Sequence, residues 1–147
     1  MVALSVESEQ LLDQLDALIG QGATYAAVSA KIDQLAAHGA TLLDAAERDH
    51  IHGHVTRYRL TVAMAYDRPM DECEQALDAN LATLQADEHL WLRASAITAV
   101  CGTHPALAAA RLPPLIQELE QHDTSQPPLS NVLKAAYRQR DELLDSE

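Results

Sequence analysis

Three histidines fall within five residues, in the run Asp49-His50-Ile51-His52-Gly53-His54. Imidazole nitrogens and a carboxylate are the usual ligands of a borderline divalent metal, and Glu47 stands just upstream. On a helix, Glu47, His50 and His54 lie three and then four residues apart, so they share one face. Glu47-x-x-His50 also has the spacing of half a di-iron site. That architecture requires a second Glu-x-x-His and two further inward carboxylates, and no other Glu-x-x-His occurs in the chain. A zinc site would need a third or fourth ligand from elsewhere, for which His38 and His104 are the candidates. Gly53, inside the triplet, loosens a rigid presentation. The expectation is an exposed, histidine-rich helix face with no resident metal or cofactor.

Other chemistries have less to stand on. No Ser or Cys sits in a nucleophile motif, and five Gly leave little room for a phosphate-cradling loop. The acids are spread over outer helix faces, so no pair of carboxylates with a raised pKa is expected. Cys73 and Cys101 fall on apolar faces without CxxC spacing, which predicts buried free thiols in a reducing cytoplasm. The chain is not expected to be an enzyme.

The formal net charge is −12. Phosphate binding needs a basic footprint, and Arg57, Arg59 and Arg68 are too few, so nucleic acid is excluded as a partner. A basic protein partner fits the charge, as does solubility alone. A length of 147 residues predicts one domain. With no Phe and one Trp, its core must be built from Leu, Ala, Val and Ile. No apolar run is long enough to cross a membrane, and MVALSVESEQ lacks the basic region and apolar stretch of a signal peptide.

The elements that would carry these residues read as helices throughout. Leu4 to Gly20, with Leu11, Leu15 and Leu18, and Ala23 to Ala37, with Val28, Ile32 and Leu35, form a first hairpin over residues 4–37. A second, over 41–85, begins with a polar insertion at 41–54, where Gly53 could divide the helix. Pro69 then opens a helix marked by Met70, Cys73, Leu77, Leu81 and Leu84. A third hairpin spans 87–122 and is kinked at Pro113-Pro114. A lone helix covers 128–145, and the last three residues fray.

Asp87 to Gly102 reads as a helix apolar on every side, capped by Asp87, with Glu88 in its first turn where the helix dipole favours an acid, and stopped by Gly102. Such a helix needs company on at least two faces. A period of 34 residues pairs Arg57 with Trp91, Leu60 with Ala94, Thr61 with Ser95, Met64 with Thr98, Arg68 with Gly102 and Cys73 with Leu107. Trp91, Ala94, Ser95, Thr98 and Gly102 have the spacing of the signature of tetratricopeptide (TPR) repeats, in which only the Trp and Gly are consensus letters. The fold expected is all-α: about three antiparallel hairpins in a TPR-like right-handed superhelix, with a C-terminal capping helix. On that template Val55, Tyr58, Val62 and Ala65, then His89, Leu92, Ala96 and Ala99, face a concave groove suited to one amphipathic partner helix. The protein's own terminal helix or a second copy in a homodimer could cover the same residues.

Size, acidity, three hairpins ending in a lone helix, and Trp91-Leu92 early in the last repeat resemble the TPR-like chaperones of type III secretion needle or pilus subunits. The resemblance spans roughly Leu11 to Leu144. It implies a cytoplasmic chaperone whose groove holds the helix of a secreted subunit, often beside a small helical co-chaperone. Arg57 and the polar segment 41–54 depart from the pattern. The rival expectation is an acidic immunity or inhibitor protein that neutralises a basic toxin or enzyme.

Overall fold

The computed structural model describes residues 3–84 and 90–145, and among these the chain is entirely helical, without strands. The helices are α1 (Val6–Gly20), α2 (Tyr25–Ala40), α3 (Ala45–Ala65), α4 (Met70–Leu81), α5 (Leu90–Thr103), α6 (Ala108–Glu120) and α7 (Leu129–Asp145), with a short 3-10 turn at Pro105–Leu107 before α6. Where length predicts one domain, the contacts gather into two compact units, Met1–Thr83 and Leu84–Glu147. The expected cap Asp87, the first-turn acid Glu88 and groove residue His89 lie outside the described residues.

The first unit is built by local chemistry. Ser5, Thr24 and Asp44 cap α1, α2 and α3, each side chain accepting a hydrogen bond from a backbone N–H of the first turn. Between α1 and α2 the chain turns through Gly22 at φ +70°, a conformation that costs glycine nothing. Connections of a few residues make consecutive helices antiparallel neighbours. Thus Ser5 and Ser8 at the start of α1 meet Glu47 at the start of α3, and Tyr66, just past the end of α3, donates to the Ala23 carbonyl 2.5 Å away. Helices α1 and α3 therefore run parallel, with α2 returning between them.

Leu11 and Leu15 of α1, Val28, Ile32 and Leu35 of α2, and Ile51, Val55 and Val62 of α3 form one core. A Cβ on Gly39 would lie 2.8 Å from Ile51 Cγ2, so α2 and α3 touch where α2 has no side chain. The other side of α3 carries Thr56, Leu60 and Ala63, all buried. On that side it packs against α4, whose Cys73 and Leu77 are fully buried, and Asn80 donates to Thr56 Oγ1 at 3.3 Å.

Residues 41–54, expected as a polar insertion at the head of a long helical segment that Gly53 could divide, are from Ala45 the first half of an unbroken α3 that runs straight through Gly53, with Glu47 and Ile51 buried among exposed neighbours. Glu47, Ile51, Val55, Tyr58 and Val62 follow one another at steps of three and four, a single inward stripe. A mid-helix Gly costs about 1 kcal/mol relative to Ala, and burying Ile51 returns about 1.5–3 kcal/mol, so the helix continues.

The second unit is a three-helix arrangement in which α5, α6 and α7 each touch the other two. Arg93 near the start of α5 pairs with Glu118 near the end of α6 at 2.5 Å, which fixes those two as antiparallel. Gln139 of α7 donates to the Thr98 carbonyl of α5 at 2.9 Å. Helix α5 passes Gly102 by one residue to end at Thr103, and α6 carries Pro113 and Pro114, where a kink is expected, within its span. The prolines and the residues four positions earlier, Ala109 and Ala110, are all exposed, so this stretch lies on the solvent side of the helix, where water is at hand for carbonyls that lose a donor.

Candidate functional site

The structure divides the seven groove residues it describes, His89 lying outside them. Val55 and Val62 are each 2% exposed, sealed by α1 and α2 within their own unit. Tyr58 is half-buried at the α1–α3 seam, where its hydroxyl donates to Asp16, and Ala65 is exposed. The surplus of apolar residues on α3 is therefore consumed by its own neighbours, α1 and α2 on one side and α4 on the other. On α5, Leu92 is 43% exposed, Ala99 is exposed and Ala96 half-buried, and Trp91 beside them is 44% exposed. The opposite stripe, Leu90, Ala94, Ile97 and Cys101, is buried.

Glu47 does not join His50 and His54. Its carboxylate is turned into the first unit, where Oε1 accepts from the Ser5 backbone N–H at 2.8 Å and from Ser8 Oγ at 2.9 Å. These bonds, Ser5's backbone N–H first, hold the Glu47 carboxyl below the ordinary carboxylate range against the opposing effect of burial, and the charge of His38 helps. Ser8 Oγ also lies 2.8 Å from His38 Nε2, and His38 Nδ1 lies 3.7 Å from Glu7 Oε1. Hydroxyl, imidazole and carboxylate thus follow in the order of a hydrolytic triad. Ser8, however, is fully buried, where no substrate reaches it, and gives its proton to Glu47. With that proton committed, Ser8 Oγ accepts from His38 Nε2–H, and the cluster clamps the N-terminus of α1 to α2 and α3. A sequence signal for it existed: Glu47 stands four residues before Ile51 on the inward stripe of α3.

His50 and His54 do come together. Their Nε2 atoms are 3.0 Å apart, with the rings edge to face at 77°. Arg57 Nη2 lies 2.6 Å from His54 Nδ1, and a guanidinium can only donate, so Nδ1 is an acceptor. The proton of neutral His54 is then on Nε2, directed at His50 Nε2. Burial lowers the His54 pKa, the charges of Arg57 and His50 lower it further, and Asp16 opposes them. The His54 ring stacks on Tyr58, whose pKa is pushed up to about 12 by burial and then by its hydrogen bond to Asp16. Beside them a cleft of about 420 Å³ opens to Glu9, Asp13 and Asp16 of α1. His52 is elsewhere, on a cleft between α2 and α3. His38 is committed to Ser8, and His104 belongs to the second unit. Among the described residues, no group of three or more metal-binding side chains assembles.

The chain matches no family model, no curated protein and no solved structure. Its chemistry is otherwise quiet. Cys73 and Cys101 are buried free thiols, and burial raises the pKa of both, which makes them poor nucleophiles. Among the described residues, no helix is long and apolar enough to cross a membrane.

Proposed function

We propose that the chain is a non-enzymatic helical protein-binding module whose binding surface is the outer strip of α5. The observation that carries this reading is the pair Trp91 and Leu92, large apolar side chains 44% and 43% exposed at adjacent positions. Large aromatic anchors of this kind dominate the energetics of helix-in-groove recognition. Ala96 and Ala99 extend the strip without blocking the approach of a partner backbone. The intended occupant is an amphipathic helix, and the resemblance to type III secretion chaperones makes it a helix of a needle or pilus subunit, held in the cytoplasm, with or without a small helical co-chaperone. The order of antiparallel hairpins, with α1 and α3 parallel, is compatible with a TPR-like superhelix. The reading moves the binding surface away from Val55 and Val62, which are occupied by their own core.

Co-expression with candidate needle or pilus subunits tests it. Capture of a subunit by the wild-type chain, lost in Trp91→Ala and Leu92→Glu but kept in Ala65→Glu, is the expected pattern. Capture that ignores both α5 substitutions sinks it. The net charge of −12 favours a second reading, an acidic inhibitor of a basic protein. Affinity that collapses as salt rises selects the inhibitor; affinity indifferent to salt selects the apolar strip.

A further inference from the structure

The geometry points to His50 and His54 as a two-imidazole chelate for a divalent cation that prefers right-angled coordination, Cu(II) above all and Ni(II) next, with Arg57 as the group that competes with it. Two imidazoles one helical turn apart present Nε2 atoms 3.0 Å from each other. If the rings turn their lone pairs to a shared ion while keeping close to that separation, metal–nitrogen bonds of about 2.0–2.1 Å subtend about 95° at it, whereas a tetrahedral ion would need the rings to part to about 3.3 Å. Tetragonal coordination is the preference of Cu(II) and Ni(II), and copper also heads the affinity order for nitrogen ligands. Water completes the coordination, since Glu47, the carboxylate that spacing places nearest, is held by Ser5 and Ser8. Asp16 of α1 acts on His54 from across the seam and adds favourable negative potential for a cation.

What opposes the ion is equally specific. Arg57 donates to His54 Nδ1 and thereby keeps a proton on the Nε2 that the metal needs. Binding therefore moves one proton: His54 shifts its N–H from Nε2 to Nδ1, Arg57 swings into solvent, and the His54-to-His50 hydrogen bond gives way to two metal–nitrogen bonds. Arg57 is an exposed side chain and can make that movement without disturbing the core.

The test is a titration of the full chain, prepared without a histidine tag, with copper(II), nickel(II) and zinc(II) salts in a non-chelating buffer. Calorimetry supplies affinities, and the electron paramagnetic resonance spectrum of the copper form counts bound nitrogens. One copper site with two imidazole nitrogens is expected, weakened by more than about tenfold in His50→Ala and in His54→Ala. His52→Ala leaves it unchanged, and Arg57→Gln tightens it by about tenfold, because the competing charged hydrogen bond is gone. Of the four positions, His50, His52 and Arg57 are exposed and His54 is half-buried, and circular dichroism confirms that each variant is folded. Absence of copper binding, equal binding by the double variant His50→Ala/His54→Ala, zinc bound more tightly than copper, or weaker binding in Arg57→Gln each overturns the inference.

Discussion

The contact of α2 with α3 at Gly39 gives a sharp test of the first unit's packing. In Gly39→Ala the new Cβ would stand 2.8 Å from Ile51 Cγ2 and 3.5 Å from Ile51 Cβ. Optimal carbon–carbon contacts lie at about 3.5–4.0 Å, so the methyl overlaps Cγ2 by roughly 0.7 Å or more. Ile51 is fully buried and branched at Cβ, so it has no free end to swing away. Overpacking of this kind costs about 1–3 kcal/mol, and replacing helical Gly by Ala returns about 0.5–1 kcal/mol. Net destabilisation of about 1–2 kcal/mol is expected, read as a lower urea midpoint with an unchanged slope by circular dichroism. Ile51→Leu moves the branch from Cβ to Cγ and deletes the clashing atom, at a cost of its own below about 1.5 kcal/mol. The double variant should accordingly be more stable than the sum of the two single effects by about 1 kcal/mol. A Gly39→Ala protein as stable as wild type, or strict additivity in the double variant, would refute the described approach of α2 and α3.

Val62→Glu buries a carboxylate among apolar neighbours and should abolish the folding of the first unit, whereas Leu92→Glu, at a 43% exposed site, should shift stability by no more than about 0.5 kcal/mol; urea melts of the two separate core from surface. Glu47→Gln should destabilise the first unit and Glu7→Gln should not, because only Glu47 accepts from Ser5 and Ser8; thermal melts at pH 7 compare them. The depressed pKa of His54 means that folding favours its neutral form, so this contribution is complete above the ordinary histidine value and declines as pH falls from there through the folded value. Wild type should therefore lose more melting temperature than His54→Gln between pH 7.5 and pH 5.5, and equal losses would contradict the Arg57–His54–His50 arrangement. Glu47 acts in the same direction at lower pH, its stabilising bonds being lost as acid protonates it below the usual carboxylate range.

Much of the fold could be read from the letters because apolar residues recur at helical spacing. Val28, Ile32 and Leu35 on α2, Cys73 and Leu77 on α4, and Val132 and Ala136 on α7 are all buried where the pattern places them. The pattern fails where one polar residue occupies an inward position. Glu47 made the start of α3 read as solvated, when its carboxylate was matched by two serines more than thirty residues away. Periodicity also reports that a face is covered without saying by what. The face of Val55, Tyr58 and Val62 was legible, but the residues that seal Val62 come from α1 and α2, and nothing near Val62 in the chain records them. The histidine pair was legible because its spacing is local; the exclusion of Glu47 from it was not.

Helix α3 is gripped on opposite sides, by Ile51, Val55 and Val62 towards α1 and α2, and by Thr56, Leu60 and Ala63 on its other side, where α4 packs. Neither side can open without leaving the other half of its contacts unsupported. The amides at its middle should therefore exchange with deuterium more slowly than those of α1 or α4, and only when the whole first unit opens.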